Sequence, residues 1–137
     1  MDYYSNAVET EQAARVLYDA EMYRQAIYLF CLAIELYLKS RLYLVKHNED
    51  LALSHDIIGL YHALNSRFAS PGNLEKLIAK SRKYFNEARY PYTGDTGIYT
   101  RGFADGFINA VTEVKQYVDT QCVATEDDLQ TMFRKNI

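Results

Sequence analysis

Apolar residues recur every three or four positions along most of this chain, and compact groups of turn-forming residues separate the runs. A first helix is predicted over residues 3–20, with Asp2 as its N-cap and Ala7, Ala14, Leu17 and Tyr18 as its apolar stripe. A second runs over 23–47, where Ile27, Phe30, Cys31, Ile34, Leu38, Leu42 and Val45 keep helical spacing. Leu29, Leu32 and Leu36 lie off that stripe, and a helix apolar on most sides belongs at the centre of a bundle. Its polar exceptions, Arg24, Gln25, Glu35 and Lys39, are expected to mark the remaining face. Ser54 is positioned to cap a third helix over 55–68, and "SPGN" at 70–73 reads as a turn. Asn73 then caps a fourth helix to residue 88, with Leu74, Leu77, Ile78, Tyr84 and Phe85 facing inward.

A fifth helix follows Arg101 and has the cleanest period, through Phe103, Phe107, Ile108, Val111, Val114 and Val118. Thr125 caps a short last helix, with Glu126, Asp127 and Asp128 in its first turn, where acids complement the helix dipole. No alternating pattern competes for a strand. The expected fold is all-α: a single-domain (1–137), up-and-down antiparallel helical bundle of four to five long helices plus a short C-terminal helix.

Charge narrows the function classes. Fifteen basic and eighteen acidic residues give a net charge of −3, whereas a protein that coats duplex nucleic acid is normally basic. The two cysteines, Cys31 and Cys122, make neither a disulfide framework nor a zinc site, and Cys31 sits in an apolar run as a small hydrophobe. The N-terminus lacks the basic-then-apolar pattern of a signal peptide, and the longest apolar stretch is interrupted by Glu35 and too short to span a bilayer. A soluble cytoplasmic protein without a membrane role is expected.

Candidate chemistry concentrates in "EARYPYTGD", residues 87–95, which breaks the helical rhythm. Tyr90 precedes Pro91 and should be extended, ending the fourth helix near Arg89. Arg89 and Arg101 bracket a segment rich in Gly, Thr and Tyr, able to offer guanidinium forks and backbone N–H groups to an anion. A plainer reading also fits: Arg89 pairs with carbonyls at a helix end while Tyr90 and Tyr92 cover the core. No Gly-Lys-Ser/Thr follows the glycines, so they form no P-loop.

Glu35 and Lys39 are four apart, the spacing of a helical ion pair, expected at a solvated or interface position. His55 and His62 are two turns apart and Asp56 follows His55, but three histidines give no firm ligand spacing, and neither metal nor cofactor is expected. Thirteen tyrosines without tryptophan suit interfaces, with Tyr37 and Tyr43 as dimer contacts; base stacking is the sharper alternative.

Taken in order, "CLAIELYLKSRL" (31–42), "SHDIIGLYHAL" (54–64) and "ARYP" (88–91) resemble the HEPN family, the higher eukaryotes and prokaryotes nucleotide-binding domain. The resemblance covers about residues 5–120 and implies a helical bundle that commonly dimerises. Members of that family bind nucleotides, partner a minimal nucleotidyltransferase, or act as metal-independent ribonucleases with an Arg, four to six residues, then a His. Residues matching the family pattern are Glu35, Lys39, His55, Asp56, Arg89, Tyr90 and Pro91. No histidine follows His62, so Arg89 and Arg101 lack the ribonuclease partner. Arg41 and His47 fit the interval by number, yet six residues turn a helix by about 600°, which leaves the two side chains about 120° apart.

The expectation is therefore a non-catalytic, homodimeric domain that binds a nucleotide, an RNA or another phosphate-bearing ligand. Its binding residues would be Arg89, Tyr90, Lys39, Glu35, Arg101, His55 and Asp56. Two alternatives stay open here. One is the interaction half of a toxin–antitoxin-type pair with a minimal nucleotidyltransferase. The other, a metal-independent endoribonuclease, is disfavoured by the missing motif.

Overall fold

A computed structural model describes residues 2–46, 55–89 and 96–122. Among the described residues there are five α-helices and no strand. They are α1 (Tyr3–Asp19), α2 (Tyr23–Lys46), α3 (Ile57–Asn65), α4 (Leu74–Arg89) and α5 (Arg101–Thr120), with a 3-10 turn at Thr96–Ile98 leading into α5. Ser54, His47, the segment 90–95 and the expected helix after Thr125 lie outside the described residues.

Local chemistry sets most of the boundaries. The Asp2 carboxylate accepts from the Ser5 amide at 2.9 Å and caps α1 as expected. At the other end Glu21 takes φ 64°. The Met22 amide bonds the Leu17 carbonyl and the Glu21 amide bonds the Tyr18 carbonyl, a Schellman turn with a non-glycine residue in its left-handed position. This turn folds α2 back against α1. Ala7 and Ala14 on α1 and Ala26 and Ala33 on α2 are fully buried, and such small side chains let two helix backbones approach closely.

The third helix is shorter than its predicted span of 55–68. Asp56 is its N-cap without a side-chain capping bond, and the Asn65 side chain accepts from the Ser70 amide, drawing the chain out of the helix. For α5 the cap is Thr100, which accepts from the Phe103 amide at 3.2 Å.

Helix α2 packs against all four other α-helices, the position its nearly all-round apolar surface predicts. Ile27, Phe30, Cys31, Ile34, Leu38 and Leu42 are completely buried. Each of the large aliphatic and aromatic side chains among them contributes about 1.5–3 kcal/mol on burial. From the outer helices, Leu74, Ile78 and Phe85 of α4 and Phe107, Val111, Val114 and Val118 of α5 close the core. Leu17, Tyr18, Leu77, Tyr84, Phe103 and Ile108 pack at its edge, half-buried. No described helix is long and apolar enough to cross a membrane.

Helix α1 meets α5 through long side chains. The Tyr4 hydroxyl bonds Asp119 at 2.9 Å, and the Tyr18 hydroxyl bonds Asp105. Both tyrosines and both aspartates are fourteen residues apart, so the two links are about 21 Å apart along antiparallel helices. Burial and the neighbouring Asp119 both raise the pKa of the Tyr4 phenol, which keeps it a donor.

Candidate functional site

Cys31, Glu35 and Lys39 succeed each other at helical spacing on the side of α2 that meets α3 and α4. The Cys31 thiol points to the Ser81 carbonyl of α4 at 3.4 Å, and burial pushes its pKa up. One turn on, Glu35 Oε2 accepts from Lys39 Nζ at 3.2 Å, and Oε1 lies 2.9 Å from His55 Nδ1. The Glu35 and Lys39 side chains are only 2% and 4% exposed. The expected polar face at these two positions is thus corrected: the pair is interior. Two opposite charges with a third polar group on the carboxylate can be buried together, where either alone could not.

His55 supplies the third group from the residues that lead into α3. An ionised carboxylate can only accept, so Nδ1 carries the proton and Nε2 is the nitrogen left for other chemistry. The His55 side chain is 64% exposed and so joins the buried pair to the surface. Asp56, next in the chain, lies 3.5 Å from Arg82 Nε of α4, and both are more than half exposed. The Asp56 carboxylate rests over the first turn of α3, where a β-carbon on Gly59 would come within 3.1 Å of Oδ2. His62 sits apart, 3.8 Å from Glu75 at the far end of α3.

The structure therefore brings Glu35, Lys39 and His55 together, with Asp56 beside them. Arg101 is elsewhere. Its Nε donates to the Tyr18 hydroxyl at 3.0 Å and its guanidinium stacks on the Tyr18 ring, in the link between α1 and α5. Arg89 closes α4, and its side chain, like Tyr90, lies outside the described residues.

Two arginines outside the sequence-based candidates matter here. Arg24 of α2 donates to the Ala88 carbonyl at 2.6 Å, the role of tying the end of α4 that one reading gave to Arg89. Arg82 stands seven residues before Arg89, about 700° around the helix and so on nearly the same flank. That spacing was the available signal for it.

Other expectations resolve as follows. Arg41 donates from Nε to the Val118 carbonyl at 2.8 Å, lies 3.6 Å from Asp119 and stacks on Tyr4, so it ties α2 to the end of α5. Tyr37 is fully buried and donates to Glu11 at 2.8 Å; burial and that carboxylate raise its pKa. It is a core residue and not a dimer contact, while Tyr43 is 37% exposed. Helix α4 carries Lys76, Lys80, Arg82, Lys83 and Arg89 against Glu75 and Glu87, a local basic excess in an acidic chain. Among the described residues, no group of three His, Cys, Asp or Glu converges as a metal site.

Comparison with curated proteins and with solved structures gave no match. A family model for the HEPN domain matches residues 1–121, a span that takes in every described helix. The Glu35–Lys39 pair, the His-Asp step and the bundle around them thus have their context: the chain belongs to the HEPN domain family.

Proposed function

We propose that this HEPN domain binds a nucleotide or another phosphate-bearing ligand, as a homodimer, without catalysing a reaction on it. The observation that supports this most is His55. Its Nδ1 is committed to the buried Glu35 carboxylate, and its exposed ring stands at the same end of α3 as Arg82. A phosphate oxygen is met by an imidazolium Nε2–H and a guanidinium fork through charge-assisted hydrogen bonds. Arg89, on nearly the same flank of α4, is the next residue in reach of an extended polyphosphate or backbone. Lys39 supports the site from beneath by holding Glu35, and Asp56 limits how closely an anion approaches. Arg101 is a weaker candidate in this reading, since Tyr18 and Asp105 engage it at the α1–α5 link.

Absence of catalysis is supported by the missing Arg–His pair and by the engagement of Arg41 with α5. Dimerisation rests on the habit of the family and on the exposed Tyr43. Titration calorimetry with ATP, GTP and a short single-stranded RNA tests the ligand. At least one should give saturable heat. His55→Ala and Arg82→Ala should each weaken it about tenfold or more, the size of one lost charge-assisted bond. Absence of heat with all three, or identical affinity in both variants, overturns the reading. Light scattering on the purified chain tests the dimer.

A further inference from the structure

We propose that the C-terminal segment, residues 123–137, packs into a tyrosine-lined groove at the pole where α1 begins and α2 and α5 end. The groove holds about 370 Å³ and is walled by Tyr3, Tyr4, Ser40, Arg41, Tyr43 and Leu44. Tyr3 and Tyr43 meet edge to face with centroids 6.1 Å apart, and Tyr4 packs the same way on Tyr37. Its walls are mostly ring carbon, with Ser40 and Arg41 at the margin.

The occupant follows from where the chain goes next. Helix α5 ends at Thr120, and the Cys122 amide bonds back to the Tyr117 carbonyl, burying Cys122. Arg41, one wall of the groove, is bonded to the Val118 carbonyl and lies beside Asp119, and its charge acts on the Cys122 thiol. The last described residue is therefore delivered to the rim of the groove. Fifteen residues remain. Helical or extended, they span at least about 20 Å, more than the groove requires.

Their pattern fits the walls. Leu129, Met132 and Phe133 fall at positions i, i+3 and i+4, one apolar stripe behind Thr125 and three acids. So short an amphipathic stretch gains its helical stability from a surface to pack on. Thioether and phenyl groups also pack favourably against tyrosine rings. The family match stops at residue 121, so this stretch is an addition to the shared bundle and has no place inside it. Docked, it would cover the phenol faces of Tyr3 and Tyr43 and bind three helix ends together.

The chain has three methionines, which makes the test direct. In the intact protein labelled with ¹³C at methionine methyls, the Met132 resonance should lie upfield of its position in the isolated 123–137 peptide. It should also show Overhauser contacts to the Tyr3 and Tyr43 rings. Tyr43→Ala and, separately, Leu129→Asp should both return it toward the peptide position while Met22, at the α1–α2 turn, stays put. The second variant lies outside the bundle and leaves it folded. Peptide-like Met132 in the intact chain overturns the proposal. So do ring contacts from Leu51 or Leu53 in its place, or Met132 contacts arising only between labelled and unlabelled copies in a mixed sample.

Discussion

The two sides of α2 hold their neighbours by different means. Toward α3 and α4, Glu35, Lys39 and His55 form a polar cluster sealed inside the bundle, with the carboxylate and ammonium almost wholly excluded from water. Around the other side, α1 is linked to α5 by hydroxyl–carboxylate bonds at the surface, Tyr4 to Asp119 and Tyr18 to Asp105. The chemistry is similar but the surroundings are not. In the interior the cost of a missing partner is the desolvation of a lone charge, whereas at the rim water replaces whatever is removed. The contrast teaches that the buried side fixes the fold and the ligand face together, while the seam tunes how firmly α1 is held.

The largest effect should come from splitting the buried pair. Lys39→Met leaves Glu35 without its cation and should cost about 3–5 kcal/mol in urea unfolding. The double variant Glu35→Met/Lys39→Met should recover most of that. A single variant near wild-type stability would break the comparison. Next, His55→Ala leaves Glu35 with Lys39 and should cost only about 1–2 kcal/mol. On the seam, Tyr4→Phe and Tyr18→Phe should cost about 0.5–1 kcal/mol each and should add, since about 21 Å separates them.

Alkaline pH sharpens the contrast from another direction. Burial raises the Cys122 thiol from 9.0 to about 11, with Tyr117 and Arg41 pulling the other way. A group whose folded pKa is raised contributes stability fully below its unfolded value and loses it as pH climbs to the folded one. Stability should therefore decline between about pH 9 and 11, with the raised phenols of Tyr4, Tyr37 and Tyr117 adding to the loss above pH 10. Cys122→Ala should flatten the first part of that slope in pH-dependent thermal melts. The smallest effect is at the α1–α2 turn: Glu21→Gly should gain up to about 1 kcal/mol, because glycine takes a positive φ without strain.

Much of the fold was legible because helical periodicity reports burial directly. The apolar surface of α2 gave away its central place, and the stripe from Phe103 to Val118 gave the inner face of α5. The Glu35–Lys39 pair was found but put in the wrong surroundings. Spacing at i, i+4 reads the same in water and in a core, and the group that makes burial tolerable, His55, arrives from twenty residues further along. Tyr37 misled for a related reason. A tyrosine's wet tip suggests a surface, yet Glu11 of another helix satisfies the hydroxyl inside. The end of α3 escaped because a side-chain acceptor, Asn65, takes an amide beyond the helix, a competition invisible to an apolar count.

The sealed pair has a consequence for how this sequence can change over generations. Replacing either member first strands its partner, so the path to an uncharged interior runs through a poorly folded ancestor. Glu35 and Lys39 should thus be inherited as a unit, kept together or lost together, even where neither meets a ligand.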